Sequence, residues 1–159
     1  MAINDNNDPL SVLIVEDEVL LATELSFLVE EVGCVPVGHA MCSEEARELA
    51  TELKPDLALV DVHLSDGPTG VEVARLIAND CGGIALFMTA NVKRLPPDMA
   101  GAVGVIGKPY SEQGVKTALT FLAACLRRGQ APGPAPAGLE LSPVWAQRWG
   151  LSDSIARAS

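Results

Sequence analysis

Five short apolar runs rich in β-branched residues, separated by stretches of helical periodicity, are the feature that most limits what this chain can fold into. The first run is Ser11 to Val15. It is followed by a stretch from Val19 to Val32 whose Leu21, Leu25, Leu28 and Val32 share one helical face, closed by Gly33. Val35 to Ala40 forms the second run. The next helix is expected to be capped by Ser43, to carry Glu44 and Glu45 in its positive first turn, and to stop at Pro55. Leu57 to Asp61, a helix over 70–79, and Ile84 to Thr89 continue the alternation. Strands joined by helices lie parallel and need right-handed crossovers, so the pattern predicts an α/β fold with a doubly wound, five-stranded parallel sheet covered on both faces.

The second half is less regular. Asn91 to Met99 contains Pro96-Pro97 and has no helical apolar spacing, so a loop or a single turn is expected where a fourth helix would stand. Val103 to Ile106 reads as the fifth strand. Ser111 caps a last helix with a stripe of Val115, Leu119, Leu122 and Leu126. The reading divides the chain into a polar N-terminal tail over 1–9, one domain over 10–128, a Gly/Pro/Ala linker over 129–138, and a tail over 139–159. That tail holds both tryptophans, and Ser142-Pro143 can start a short helix with Trp145 and Trp149 one turn apart.

Composition narrows the function. The chain's 159 residues suffice for one domain, and with 48% hydrophobic but only 4% aromatic residues its core must be built from Ala, Val, Leu and Ile. An aromatic platform for single-stranded nucleic acid is not expected on that count. Eleven basic against 21 acidic residues give a net charge of −10, which repels phosphate backbones and anionic headgroups; neither direct nucleic-acid binding nor membrane association is expected. Cys34, Cys42, Cys81 and Cys125 form no C-x-x-C pair and read as free, buried thiols of a reducing compartment. The acidic start is no secretory signal and no apolar run reaches membrane length, so the expected location is the cytoplasm.

In a doubly wound sheet, function gathers outside the carboxyl ends of the strands. Here those ends bring together Glu16-Asp17-Glu18, Asp61, Thr89 and Lys108-Pro109. Packed carboxylates are costly unless one is protonated or a cation sits among them, and an oxygen-only set from Glu16, Asp17 and Asp61 suits Mg²⁺. With such an ion a phosphoryl group becomes tolerable, its other oxygens held by Lys108 and the Thr89 hydroxyl, and Asp61 becomes a plausible nucleophile forming an acyl phosphate.

These residues resemble the receiver domain of bacterial two-component response regulators. The resemblance covers about residues 10–128 and rests on Val12-Leu-Ile-Val-Glu-Asp-Glu18, Leu59-Val-Asp61-Val-His-Leu-Ser-Asp-Gly67, Met88-Thr-Ala90 and Gly107-Lys-Pro109. It implies a flavodoxin-like receiver fold in which Asp61 accepts a phosphoryl group from the phosphohistidine of a sensor histidine kinase. Asp17, Asp61 and the His63 backbone carbonyl would ligate Mg²⁺, with Glu16 nearby or acting through water. Lys108 would pair with a phosphoryl oxygen, Thr89 would move to hydrogen-bond it, and the Lys108-Pro109 bond would be cis. The chain departs from the family in having Val105 where a switch aromatic often stands, with Tyr110 as a candidate substitute, and in a short separation between Thr89 and Lys108. In that altered fourth-helix region it resembles some alphaproteobacterial single-domain receivers.

Other readings are less well served. A phosphohydrolase of the haloacid-dehalogenase type wants a second Asp two residues after the first, where His63 stands, and a cap domain. A flavodoxin's first loop must cradle a phosphate with neutral donors, the opposite of Glu16-Asp17-Glu18. The serious alternative is a receiver-like binding module acting without obligatory phosphorylation. His39 is expected to be structural, and the His63 ring either overhangs the phosphoacceptor or faces solvent. With no conventional output domain expected after residue 128, the signal would leave through a downstream protein, by homodimerisation, or by onward transfer to a histidine phosphotransfer protein.

Overall fold

A computed structural model describes residues 8–151; the readings made for 1–7 and for 152–159 lie outside the described residues. Five parallel strands, β1 (Ser11–Val15), β2 (Val35–Ala40), β3 (Leu57–Asp61), β4 (Ile84–Thr89) and β5 (Gly104–Gly107), stand in the order β2-β1-β3-β4-β5. The winding reverses at β1, so the carboxyl ends of β1 and β3 flank the switch point. Period-two alternation sorts the strand residues between two cores. Val12 and Ile14 join Leu57, Leu59, Leu86 and Met88 on one face, while Leu13 and Val15 join Ala58, Val60, Ala85 and Phe87 on the other.

The first core is closed by α1 (Val19–Glu31) and α4 (Glu112–Arg128), the second by α2 (Ser43–Leu53) and α3 (Gly70–Leu76), which runs on into a π-helical turn at Ile77–Cys81. α4 is well bounded: Ser111 Oγ accepts the Gly114 amide, Arg127 and Arg128 sit in the last turn, and Gly129 closes it at φ 72°. The expected Ser43 cap of α2 is corrected. Ser43 is the first helical residue, and the capping acceptor is Asp66 from the loop after β3, which receives the Ser43 amide at 3.2 Å and its hydroxyl at 2.6 Å. A carboxylate satisfies the positive helix end better than a hydroxyl, and the fold brings one across from 23 residues away. Cys34, Cys81 and Cys125 are buried free thiols and Cys42 is half-buried; burial pushes the Cys125 thiol up to about 12, far from a reactive thiolate.

Between β4 and β5 no α-helix forms. Two short 3-10 turns, Val92–Arg94 and Met99–Gly101, fill the connection. The second is left-handed: Met99, Ala100 and Gly101 have φ of 50°, 53° and 80°. For Met99 and Ala100 that conformation costs on the order of 1–3 kcal/mol each, so it must be held from outside. Asp98 accepts the Ala100 amide at 2.9 Å and pairs with Arg75 of α3 at 3.0 and 3.3 Å.

Beyond α4 the chain adds a sixth strand to the five predicted. β6 (Leu139–Leu141) pairs antiparallel with β5, placing Leu141 opposite Gly104 and Leu139 opposite Ile106. A side chain at position 104 would collide with the Glu140 carbonyl, so the pairing requires glycine there. Ser142 then caps α5 (Pro143–Arg148), accepting the Trp145 amide at 3.4 Å, with Pro143 in the first turn where no amide donor is needed. Leu139, Leu141, Ala146, Trp149 and Leu151 enter the core lined by α4, and Trp149 is only 4% exposed. The opposite edge, β2, carries Pro36 and an irregular register against β1, where Val12 and Leu13 face Pro36 and Gly38.

Candidate functional site

Parallel pairing places the carboxyl ends of β1, β3, β4 and β5 at one rim, and the polar residues that follow each run meet there. Glu16 is nearly inaccessible, at 1% exposure. Its amide donates to the Ala40 carbonyl at 2.9 Å, its carbonyl accepts His39 Nε2–H at 2.7 Å, and its Oε2 accepts the Glu18 amide at 3.1 Å. Asp61 ends β3, with the His63 amide donating to its Oδ1 at 3.3 Å. Gly70 seats α3 against this strand end, since a Cβ there would overlap the Asp61 carbonyl and the Val62 backbone.

Lys108 projects from the end of β5 into the carboxylates. Its ammonium lies 3.1 Å from Glu16 Oε1 and 3.0 Å from Asp61 Oδ2. Glu16, Asp17 and Asp61 each offer a carboxylate oxygen within 4.8 Å of the others, an all-oxygen set of the kind a hard divalent cation takes. Burial raises the Glu16 carboxyl above its ordinary range, and the neighbouring Asp61 charge adds to the rise against the lowering effect of Lys108. For Lys108 burial acts the other way, yet its hydrogen bonds and charge attraction to Asp61 and Glu16 win and raise it. One ammonium thus faces three carboxylates, an electrostatic deficit that a further cation would relieve.

Thr89 stands next along the rim, 2% exposed. Its hydroxyl accepts the Asn91 amide at 3.1 Å, and its carbonyl accepts the Lys108 amide at 2.8 Å. The Lys108-Pro109 peptide bond is cis. The structure therefore gathers Glu16, Asp17, Asp61 and Lys108 into direct contact range and sets Thr89 one strand away, engaged with its own loop. His63 contributes its amide to Asp61, and its ring is exposed; His39 is exposed and holds the Glu16 backbone.

Tyr110 does not substitute for the absent switch aromatic. Val105 faces the core beneath α3, whereas Tyr110 packs on the opposite side of the sheet beside α1. There it lines a cleft of about 410 Å³ with Leu21, Glu24, Ala90, Lys108 and Pro109. Its hydroxyl is buried without a partner, and burial pushes its pKa up to about 12. A roomier groove, about 710 Å³, lies between α1, α4 and the prolines after α4, remote from these charges.

Sequence reasoning missed the clamp beneath the site. Ser65 donates its amide and hydroxyl to the Met41 carbonyl at 3.1 and 3.0 Å, and Asp66 binds Ser43 and the Thr69 hydroxyl, the latter at 2.7 Å. The loop that follows Asp61 is thereby tied to the start of α2. Ser-Asp-Gly-Pro reads locally as a turn, and nothing in it announces a partner near residue 43.

A doubly wound parallel sheet whose switch point carries three carboxylates and a lysine defines the class: a flavodoxin-like α/β domain with an acidic, lysine-bridged pocket. The chain belongs to the response regulator receiver domain family, whose family model matches residues 12–120. The Phyllosphere-induced regulator PhyR of Methylorubrum extorquens is 32% identical over 125 residues, covering 76% of this chain and 47% of that protein. The solution structure of the PhyR receiver domain of Erythrobacter litoralis superposes with a TM-score of 0.64 at 28% identity, covering 81% of this chain and 97% of that one. A two-component response regulator of the LuxR family from Aurantimonas sp. SI85-9A1 reaches 0.66 at 26% identity, over 89% and 95%. The chain spans about half the length of the curated relatives it matches. Receiver domains work with sensor kinases and generally bind Mg²⁺ at an acidic pocket, and the relatives PhyR and PdtaR are named as regulators. No described helix is long and apolar enough to cross a membrane.

Proposed function

We propose that this chain is a phosphoacceptor response regulator of a two-component or phosphorelay pathway, with Asp61 as the residue modified. The observation that carries the reading is the Lys108 ammonium held between Asp61 and Glu16 at 3.0 and 3.1 Å, beside a third carboxylate, at the switch point. A carboxylate oxygen of Asp61 attacks the phosphorus of a phosphohistidine; the new O–P bond forms as the P–N bond breaks, and the leaving imidazole keeps the electron pair and takes up a proton. Lys108, already beside the nucleophile, holds one phosphoryl oxygen and compensates the gain in negative charge. The Thr89 hydroxyl turns from Asn91 to a second oxygen. Asp17, Asp61 and the His63 carbonyl are the ligands assigned to Mg²⁺, with Glu16 near it or bound through water, and the ion when bound supplies charge neutralisation at the phosphoryl oxygens. Glu18, His39 and Ala40 hold the loop after β1 in the position this needs.

The phosphodonor is a sensor histidine kinase or a histidine phosphotransfer protein. Leu20 and Phe27 of α1, 86% and 65% exposed, offer apolar surface on the helix that starts at the pocket. Output passes to a downstream protein, by homodimerisation or by onward phosphotransfer, in the cytoplasm. The test is intact-protein mass after incubation with Mg²⁺ and acetyl phosphate, which transfers its phosphoryl group with acetate leaving. One phosphoryl adduct that needs the metal and is absent from Asp61→Ala is expected. No adduct, even with a cognate kinase supplied, would overturn this reading and favour the phosphorylation-independent binding module.

A further inference from the structure

The connection between β4 and β5 and the C-terminal segment are fastened together at a strained point. At the near end of the connection the Asn91 amide rests on the Thr89 hydroxyl at 3.1 Å. At the far end, the left-handed turn Met99–Gly101 is held by Asp98 and Arg75 on the α3 side. The Gly101 carbonyl of that turn accepts the indole N–H of Trp145 at 3.3 Å, and the Arg148 guanidinium lies 4.3 Å above the same ring. Trp149 packs 5.1 Å from Trp145 and is buried in the core. A cavity of about 200 Å³ lies between the connection and β6, lined by Val92, Val105, Gly107, Gly138, Leu139 and Glu140. Val92 and Val105 both border this space, so Val92 has room to shift.

We infer that β6 and α5 form a strap that reports the state of Thr89 through the left-handed turn, in place of an aromatic switch at position 105. This rests on Asp61 being the phosphoacceptor. When the Thr89 side chain rotates toward a phosphoryl group, its oxygen leaves the Asn91 amide, and the connection loses its near anchor. The freed connection shifts and pulls the Ala100 amide off Asp98, and Met99 and Ala100 then relax out of the left-handed region, because only Gly101 adopts it without steric cost. The Gly101 carbonyl turns away from Trp145, and α5 comes off the turn. The two arrangements differ by discrete contacts, as a two-state element requires.

Both tryptophans of the chain, Trp145 and Trp149, lie at this fastening, so fluorescence excited selectively at tryptophan reads the strap. The full chain is incubated with Mg²⁺ and acetyl phosphate, and each time point is split between intact mass and acrylamide quenching. The quenching constant is expected to rise about twofold in step with the adduct, as a shift between two states predicts, and to stay flat in Asp61→Asn. Trp145→Phe removes the fastening and leaves Trp149, buried in the core, as the remaining tryptophan, so quenching should start low and gain little on phosphorylation. Ala100→Gly relieves the strain without touching the core of α5; it should form the adduct normally and lose most of the quenching response. Complete adduct with unchanged quenching overturns the strap while leaving Asp61 as phosphoacceptor, as does a full quenching response in Ala100→Gly. Absence of any adduct overturns the phosphoacceptor reading and the strap with it.

Discussion

At the β1–β3 side of the rim the backbone is relaxed and the tension is electrostatic: one ammonium against three carboxylates, with Glu16 buried and raised. At the β4–β5 side the tension is in the backbone, in a left-handed turn fixed by Asp98 and by the Trp145 indole. The first region is fit to bind something charged, because adding a cation relieves it. The second is fit to change shape, because releasing a hydrogen bond relieves it. A single residue, Thr89, belongs to both: its carbonyl holds Lys108 and its hydroxyl holds Asn91.

The contrast is most easily broken at α5. If the C-terminal segment is as much a part of the core as its burial indicates, Trp149→Ala should cost about 3–5 kcal/mol, read as a drop in the urea midpoint. A loss below about 1 kcal/mol, within the range of surface substitutions, would mean that the segment decorates the fold and cannot strain it. Next in size is the other side of the rim. Lys108→Met strands the Glu16 carboxylate without its cation and should cost about 2–3 kcal/mol at neutral pH, short of a fully buried pair because the lysine keeps some water. Its pH dependence has a fixed sign. The folded protein holds the Lys108 proton more tightly than the unfolded chain, so this stabilisation is complete below the ordinary lysine pKa of 10.5 and is lost as pH rises through the raised value. Wild type should therefore lose stability above that point by more than Lys108→Met does; parallel alkaline melts would show that the ion pairs do not hold the pocket. The smallest effect sharpens the comparison. Tyr110→Phe removes a hydroxyl with no partner and should leave thermal stability unchanged or raise it by up to about 1 kcal/mol. A clear loss would mean that the cleft beside α1 supplies an acceptor in solution.

The residues of the pocket were legible in the sequence because each follows directly on an apolar run, and parallel winding forces the run ends together. The absence of a fourth helix was legible for a local reason too, since Pro96-Pro97 and broken spacing forbid it. What escaped was set by contacts distant in the chain. Leu139-Glu-Leu141 is too short for alternation to mean anything until β5 lies beside it with a glycine to receive it. The left-handed turn depends on Arg75 from α3, and the capping of α2 on Asp66 rather than Ser43. Tyr110 follows β5 rather than lying in it, so its place in the chain does not fix which side of the sheet its ring reaches, and it lies on the side away from Val105.

The two margins of the sheet bear on how the protein behaves when crowded. An open strand edge is a template on which further chains can grow, and parallel sheets are normally exposed to this at both ends. Here one margin has Pro36, which offers no amide, in a strand whose spacing against its neighbour is broken, so an incoming strand finds no regular ladder. The other is taken by the chain's own Leu139–Leu141, only three residues long and ending at once in a helix. Edges this short or irregular disfavour the addition of further strands. Loosening the C-terminal segment would uncover an edge as well as a signal, so sustained activation should bring a measurable rise in self-association.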